Sequence, residues 1–416
     1  MFLSYLWKLR FFTRRFWVRA ALISSFSFIV AACAPLSGFL PFGLNDRIDT
    51  EALSQLLSIL TNSMLAVTTF SLSIMVTAHL AADANATPRA HRLLQEDGRT
   101  QTVIATFIGA FVYALALTVM LNADLIAEGE VGLVYLATVA VLGVIVVAML
   151  RWVAHLVGLG SVEETIRRVE ESARRCIDAR IDSPFFGGRE LTFVPDDVTA
   201  IRSPAFGYVL SIDTAELQRI VAQRDRKFYL ACKPGDWVRP GTTFGWISGD
   251  GLEADERSAL VAALAIGDRR DYDRDTSFSL VVLTEIAERA LSPGINDPGT
   301  AIDVVGRLTR LLWAIPVERE MAEPTAPDVF VLPIDLSEIM FRTLDPIARD
   351  GRNFVEVQMC LQEAYRTLAS HDRPAAGKMA AELSKRLEAY CRNEVMLPED
   401  ADRIADSGIG RSEDSH

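Results

Sequence analysis

Four long apolar stretches, near residues 20–41, 56–78, 102–121 and 131–155, alternate with polar connectors in the first part of the chain. As helices rising about 1.5 Å per residue, each is long enough to cross roughly 30 Å of hydrocarbon. Ionisable side chains are nearly absent from them, so the pattern predicts four transmembrane helices within residues 1–160. After Gly160 the pattern changes. In SVEETIRRVEESARRCI, Ser161 and Glu164 have capping-box spacing, which predicts a new helix over 161–182. Val162, Ile166, Val169, Ala173 and Cys176 form its apolar seam, open to packing on another subunit or on the chain's own soluble region. Glu163, Glu164, Glu170 and Glu171 each precede an arginine by four positions, the spacing of helical ion pairs.

Residues 183–205 are rich in Pro, Gly and Asp and read as a connector. The segments 206–213, 227–233 and 242–247 carry strand-forming residues around a short helix near 214–223, giving a small β unit that ends by residue 250. Helical periodicity then dominates 251–398, through 277–291, 299–315, 337–349, 353–370 and 373–396, with one strand at 329–333. The polar tail 399–416 reads as disordered. The expected fold class is therefore an α-helical membrane protein with four transmembrane helices plus a cytoplasmic α+β domain, mainly helical with a small β unit.

Charge sets the orientation. Lys8, Arg10, Arg14, Arg15 and Arg19 precede the first stretch, the second connector carries Arg89, Arg92 and Arg99, and the third carries only acids. Basic flanks are retained in the cytoplasm, which places both termini there, in a bacterial inner membrane, with the first stretch kept as a span. Up to Leu159 there are 10 Lys/Arg and 9 Asp/Glu, leaving 32 and 45 for the remainder, so the net charge of −12 belongs to the soluble region. An acidic surface repels nucleic-acid phosphates and argues against that class of partner. The five cysteines lack paired spacing and read as reduced, buried residues with no metal or redox role.

Two sets of residues carry candidate chemistry. Ser58, Asn62, Thr69, Ser73 and Thr77 recur along one face of the second span, where they either line a wet path or bond to neighbouring helices. No span holds a buried acid or lysine of the kind that couples transport to protons. His79, His91 and His155 fall near the ends of spans on one side and could cluster. In ALSPGINDPGTAID, Asp297 and Pro298 suit the start of a helix, while Ser292, Asn296, Asp297 and Thr300 at that helix N-terminus could hold an anion. Familiar catalytic motifs are missing, which points away from an enzyme; the alternative within that class centres on Ser292, Asn296 and Asp297.

The stretch PGDWVRPGTTFGWI is similar to the hairpins of biotinyl- and lipoyl-type domains, but no lysine occupies its tip, so no cofactor is implied. Across nearly its whole length the chain resembles a bacterial family of membrane proteins, domain of unknown function 2254. NSMLAVTTFSLSIM, TPRAHRLLQEDGRTQ, FIGAFVYAL, FGYV, PGDWV and ALSPGINDPGTAID carry the resemblance. It implies the membrane topology and no activity. The functional expectation is an oligomeric channel, with lipid and further copies of the chain as partners, regulated by its cytoplasmic domain. The alternative is a membrane-anchored sensor or scaffold whose helical region binds a protein or a small anionic ligand.

Overall fold

The structure, a computed structural model, describes residues 16–35, 49–85, 87–95, 98–127, 130–156, 161–249, 251–321, 323–392 and 397–409. The chain divides into two compact units, Met1–Asn85 with Leu94–Glu164, and Ala86–Leu93 with Thr165–His416. The helices in chain order begin with α1 (Phe16–Cys33), α2 (Thr50–Asn85), the short α3 (Pro88–Gln95), α4 (Gly98–Asn122) and α5 (Val131–Leu156).

Among the described residues, three stretches of the first unit are long and apolar enough to cross a membrane: Thr50–Ala78 of α2, Gln101–Asn122 of α4 and Val131–Leu156 of α5. In α1 the apolar section among the described residues is Ser24–Cys33, and residues 36–41 of the expected first span lie outside them. Helix α4 is central, packing most heavily on α1 and α2. Phe107, Ala110, Tyr113, Ala114 and Leu117 are buried there against Leu53, Leu57, Leu60 and Met64 of α2 and Val30 of α1. Small residues on α4 allow this approach. Ala140 and Gly143 of α5, of the same type, are exposed and serve no such contact. Outside this core Phe70, Leu150, Leu65, Val144 and Val119 stand more than half exposed. Large apolar side chains on an exterior are what a lipid solvent permits and water penalises.

Beyond α3, the second unit resumes at Thr165 within α6 (Val162–Asp182) and continues into a 3₁₀ turn at Pro184–Gly187. The apolar seam of α6 is buried within this unit: Ile166, Val169, Ala173 and Cys176 are all under 5% exposed. The Ser172 hydroxyl and Cys176 thiol donate to the carbonyl of Tyr272 at 3.2 and 3.0 Å. Glu170, expected to pair with Arg174, instead accepts from Arg307 and Arg310 at 2.6 and 2.5 Å. Burial raises its pKa, but those two bonds outweigh it and hold the carboxyl below its ordinary value.

Strands β1 (Arg189–Glu190), β2 (Val198–Arg202) and β3 (Gly207–Ile212) precede α7 (Thr214–Ala222). Then follow β4 (Phe228–Leu230), β5 (Trp237–Val238), β6 (Thr243–Ser248), α8 (Ala254–Ala262) and β7 (Leu264–Gly267). The last elements are α9 (Phe278–Leu291), α10 (Pro298–Ala314), β8 (Val329–Val331), α11 (Leu336–Asp350), α12 (Val355–Ala369), α13 (Pro374–Arg392) and α14 (Pro398–Asp406). One sheet has the order β1-β8-β4-β6-β2 and the other β5-β3-β7.

Four expectations change. Residues 251–398, expected to hold one strand, also contain β7, which pairs with β3. The stretch at 183–205 contains β1 and β2, whose short alternation Pro and Asp residues obscure. The stretch 237–247 is not a hairpin: β5 pairs with β3, β6 pairs with β2 and β4, and the chain crosses between sheets at Pro240-Gly241. Gly241 takes a φ of +90° there, which a side-chain-bearing residue would adopt only with strain. The tail from 399 is not disordered throughout, because α14 starts on Pro398 with Glu399 and Asp400 favouring its first turn, and buries Ile404 completely. Residues 410–416 lie outside the described residues.

Candidate functional site

The polar stripe of the second span stands out on the surface of its unit. Ser58, Asn62, Thr69, Ser73 and Thr77 are exposed, on the side of α2 opposite Leu53, Leu57, Leu60 and Met64. Thr69 donates to the carbonyls of Leu65 and Ala66 at 3.0 Å, and Thr77 to that of Ser73 at 3.0 Å. Hydroxyls satisfied by their own helix tolerate lipid. The Asn62 amide has no hydrogen bond among the described residues, so lipid would leave its donors and acceptor unmet. The buried polar link between spans lies elsewhere, where Tyr113 and Thr138 share a bond of 3.2 Å. The side chains of His79 and His91 fall outside the described residues, and the His155 ring sits 6.1 Å from that of Trp152.

The segment from Ser292 to Thr300 spends its polar groups on itself. The Ser292 hydroxyl donates to the Arg289 carbonyl at 2.6 Å, and Asn296 turns the chain with a φ of +56°. Asp297 accepts from the Thr300 hydroxyl at 2.6 Å and its backbone N–H at 3.1 Å, capping α10. The Thr300 hydroxyl, aided by backbone N–H groups, holds the Asp297 carboxyl below its ordinary pKa. A fixed negative charge thus occupies the N–H groups that an incoming anion would need.

The second unit instead holds an open cavity of about 590 Å³ lined by five arginines. Arg89 and Arg92 come from α3, which starts on Thr87, whose hydroxyl accepts from Ala90 N–H at 3.2 Å, and on Pro88 at its first turn. Ala90 is fully buried, Tyr272 donates its hydroxyl to the Arg89 carbonyl at 2.7 Å, and Arg89 is ion-paired with Glu285 of α9. Arg269 and Arg270 follow β7, and Arg342 comes from α11. Arg270 stacks 4.9 Å above the Phe278 ring and donates to buried Asp275 at 2.6 Å, while Arg342 pairs with Glu338 at 3.4 Å. No ion pair engages Arg92 or Arg269 among the described residues, which leaves both guanidiniums available to a ligand.

The aromatic wall follows from strand register. β3 and β5 place Tyr208 opposite Trp237, with ring centroids 4.8 Å apart edge to face. The PGDW turn that presents Trp237 and Asp236 depends on Gly235, at a φ of +96°, where a Cβ would come within 2.1 Å of the Asp275 carboxylate. Burial pushes the Asp236 carboxyl above its ordinary value. Lys233 ties the same turn to Glu338 of α11 at 2.7 Å and holds that carboxyl below its ordinary value. The mixed-sign loop GDRRDYDRD therefore frames a cavity, and Arg89 and Arg92, which serve in the sequence as topology markers, form part of its wall.

This arrangement belongs to a membrane-helix protein with a second, α+β unit. The family described as "Predicted membrane protein (DUF2254)" matches residues 13–367, and the chain belongs to it. Uncharacterized proteins of Mycobacterium bovis and Mycobacterium tuberculosis are 25% identical to it over 270 residues. That match covers 62% of this chain and 50% of each relative, so the aligned region spans half of their length. No solved structure matches the chain.

Proposed function

We propose that the protein is a membrane-anchored receptor for a small anionic ligand, held in the arginine-lined cavity of its soluble unit. The observation that carries this reading is the shared origin of the cavity: Arg89 and Arg92, from the connector between α2 and α4, face the same space as Arg269, Arg270 and Arg342. Helix α3 follows α2 after two residues and precedes α4 after two, so a ligand that draws α3 against α9 acts directly on the chain entering both spans. In this reading α1 is a fourth span, the membrane is the bacterial inner membrane, and the termini and soluble unit are cytoplasmic. The basic flanks support that orientation, as does the docking of α3 through Tyr272, which ties the second connector to the soluble unit.

Purified full-length protein should bind inorganic pyrophosphate saturably in equilibrium dialysis. Arg92→Ala and Arg269→Ala should each weaken binding roughly tenfold or more, since a charge-assisted bond contributes about 1.5–3 kcal/mol. Affinity should also fall as salt rises. Arg310→Ala, whose guanidinium contacts Glu170 away from the cavity, should leave binding unchanged. Absence of saturable binding, or equal binding by all variants, would remove the reading.

A second reading, an oligomeric channel, is favoured by the outward stripe on α2. Copies of the chain arranged around an axis would give the Asn62 amide water or a neighbouring amide in place of lipid. Reconstituted protein would then pass ions at a rate that Asn62→Leu reduces severalfold. Liposomes that stay tight at every voltage and pH would exclude a channel while leaving the receptor reading intact.

A further inference from the structure

Resting on the receptor reading, we infer that the anion is a nucleotide, an aromatic base carrying N–H donors joined to a phosphate group. Arginines alone would suit any phosphate. The cavity also contains features that a bare phosphate cannot use. Trp237 is 57% exposed although it lies in a strand, and Tyr208 packs against it nearly perpendicular, so more than half of the residue remains open to a planar group. Stacking of a base on an aromatic face is tolerant of base identity and is a common basis of nucleotide affinity. Asp236 and Asp268 line the same space as Arg92 and Arg269. A carboxylate beside a phosphate is repulsive, whereas beside an exocyclic amine or ribose hydroxyl it is an acceptor. Two cations without ion-pair partners among the described residues, one exposed indole and two acceptors match the three parts of a nucleotide. A cavity of about 590 Å³ falls in the size range of small-molecule sites. A phospholipid headgroup shares the phosphate but offers no aromatic ring to Trp237.

The test compares adenosine diphosphate with inorganic pyrophosphate on the full-length protein in detergent, by calorimetry. Adenosine diphosphate should bind at least tenfold more tightly. Trp237→Ala should remove that advantage, bringing the two affinities to within about threefold of each other, while Trp237→Phe should restore most of it. An unchanged circular dichroism spectrum and melting temperature show that the alanine variant is folded. Equal affinities for the two probes, unaffected by Trp237→Ala, would overturn the nucleotide assignment and leave the anion receptor standing. Displacement of pyrophosphate by phosphatidylglycerol bicelles, with no displacement by adenosine diphosphate, would also overturn it, in favour of a lipid headgroup. Failure of both probes to bind would remove the receptor and the nucleotide together.

Discussion

Glu318→Ala is expected to lower the stability of the second unit by about 3–5 kcal/mol, the cost typical of removing one partner from a buried ion pair. The Glu318 and Arg180 side chains are 2% and 6% exposed, and the two are ion-paired. The same carboxylate accepts from the backbone N–H groups of Phe185 at 3.1 Å and Ile334 at 2.9 Å. It therefore joins the end of α6, the 3₁₀ turn and the approach to α11. Phe185 and Phe186 take φ values of +51° and +53°, a conformation that costs about 1–3 kcal/mol for a residue with a side chain and persists only when its surroundings enforce it. Arg180 lies 4.1 Å from the Phe186 ring centroid, so the pair is also the support for that turn. At about 2–4 °C per kcal/mol, thermal unfolding followed by circular dichroism should shift down by roughly 10 °C. Glu318→Gln keeps an acceptor but leaves the Arg180 charge buried, and should fall between. A shift under about 2 °C for the alanine variant would mean that the pair is hydrated in solution.

Asp275→Ala should have the next largest effect, about 2–4 kcal/mol of destabilisation. The Asp275 side chain is 2% exposed. One oxygen accepts from Ser277 and Phe278 N–H groups at 3.1 Å, at the start of α9, and the other from Arg270 at 2.6 Å. Removing it leaves helix-terminal donors unmet and Arg270 without its partner beneath the cavity floor. Because the substitution deletes an acid and frees a guanidinium, pyrophosphate affinity should hold or rise while the melting temperature falls. Loss of affinity in step with stability would show that Arg270 needs Asp275 to reach the cavity at all.

Three of the four long apolar helices were legible because long apolar runs admit few other readings, and the cap at Asp297 because its neighbours settle it locally. The seam of α6 was also visible, although its partner was not: Ile166 and Cys176 say that a surface is covered, while the choice of surface depends on α10 and the loop at Tyr272. The cavity was hidden for a different reason. Its residues come from positions as far apart as Arg89 and Arg342, and their meeting depends on α3 docking to α9 and on β3 pairing with β5. In sequence, GDRRDYDRD is a solvated loop by composition, since nothing local distinguishes Arg270, held by Asp275, from Arg269, which is free to act. Strands β5 and β6 mislead similarly, because Pro240-Gly241 marks a turn without saying that the chain changes sheets there. Helix α14 is polar on all but one side, and only Ile404 and Ala405 give it an anchor.

If α3 and the rest of its unit build one anion site, as proposed, hydrogen exchange of the full-length protein with and without saturating pyrophosphate will report it. Amide exchange should slow together in peptides covering 87–95 and 264–278, and Arg269→Ala should remove both effects. Slowing confined to one of these segments, or found instead at residues 290–300, would contradict the claim.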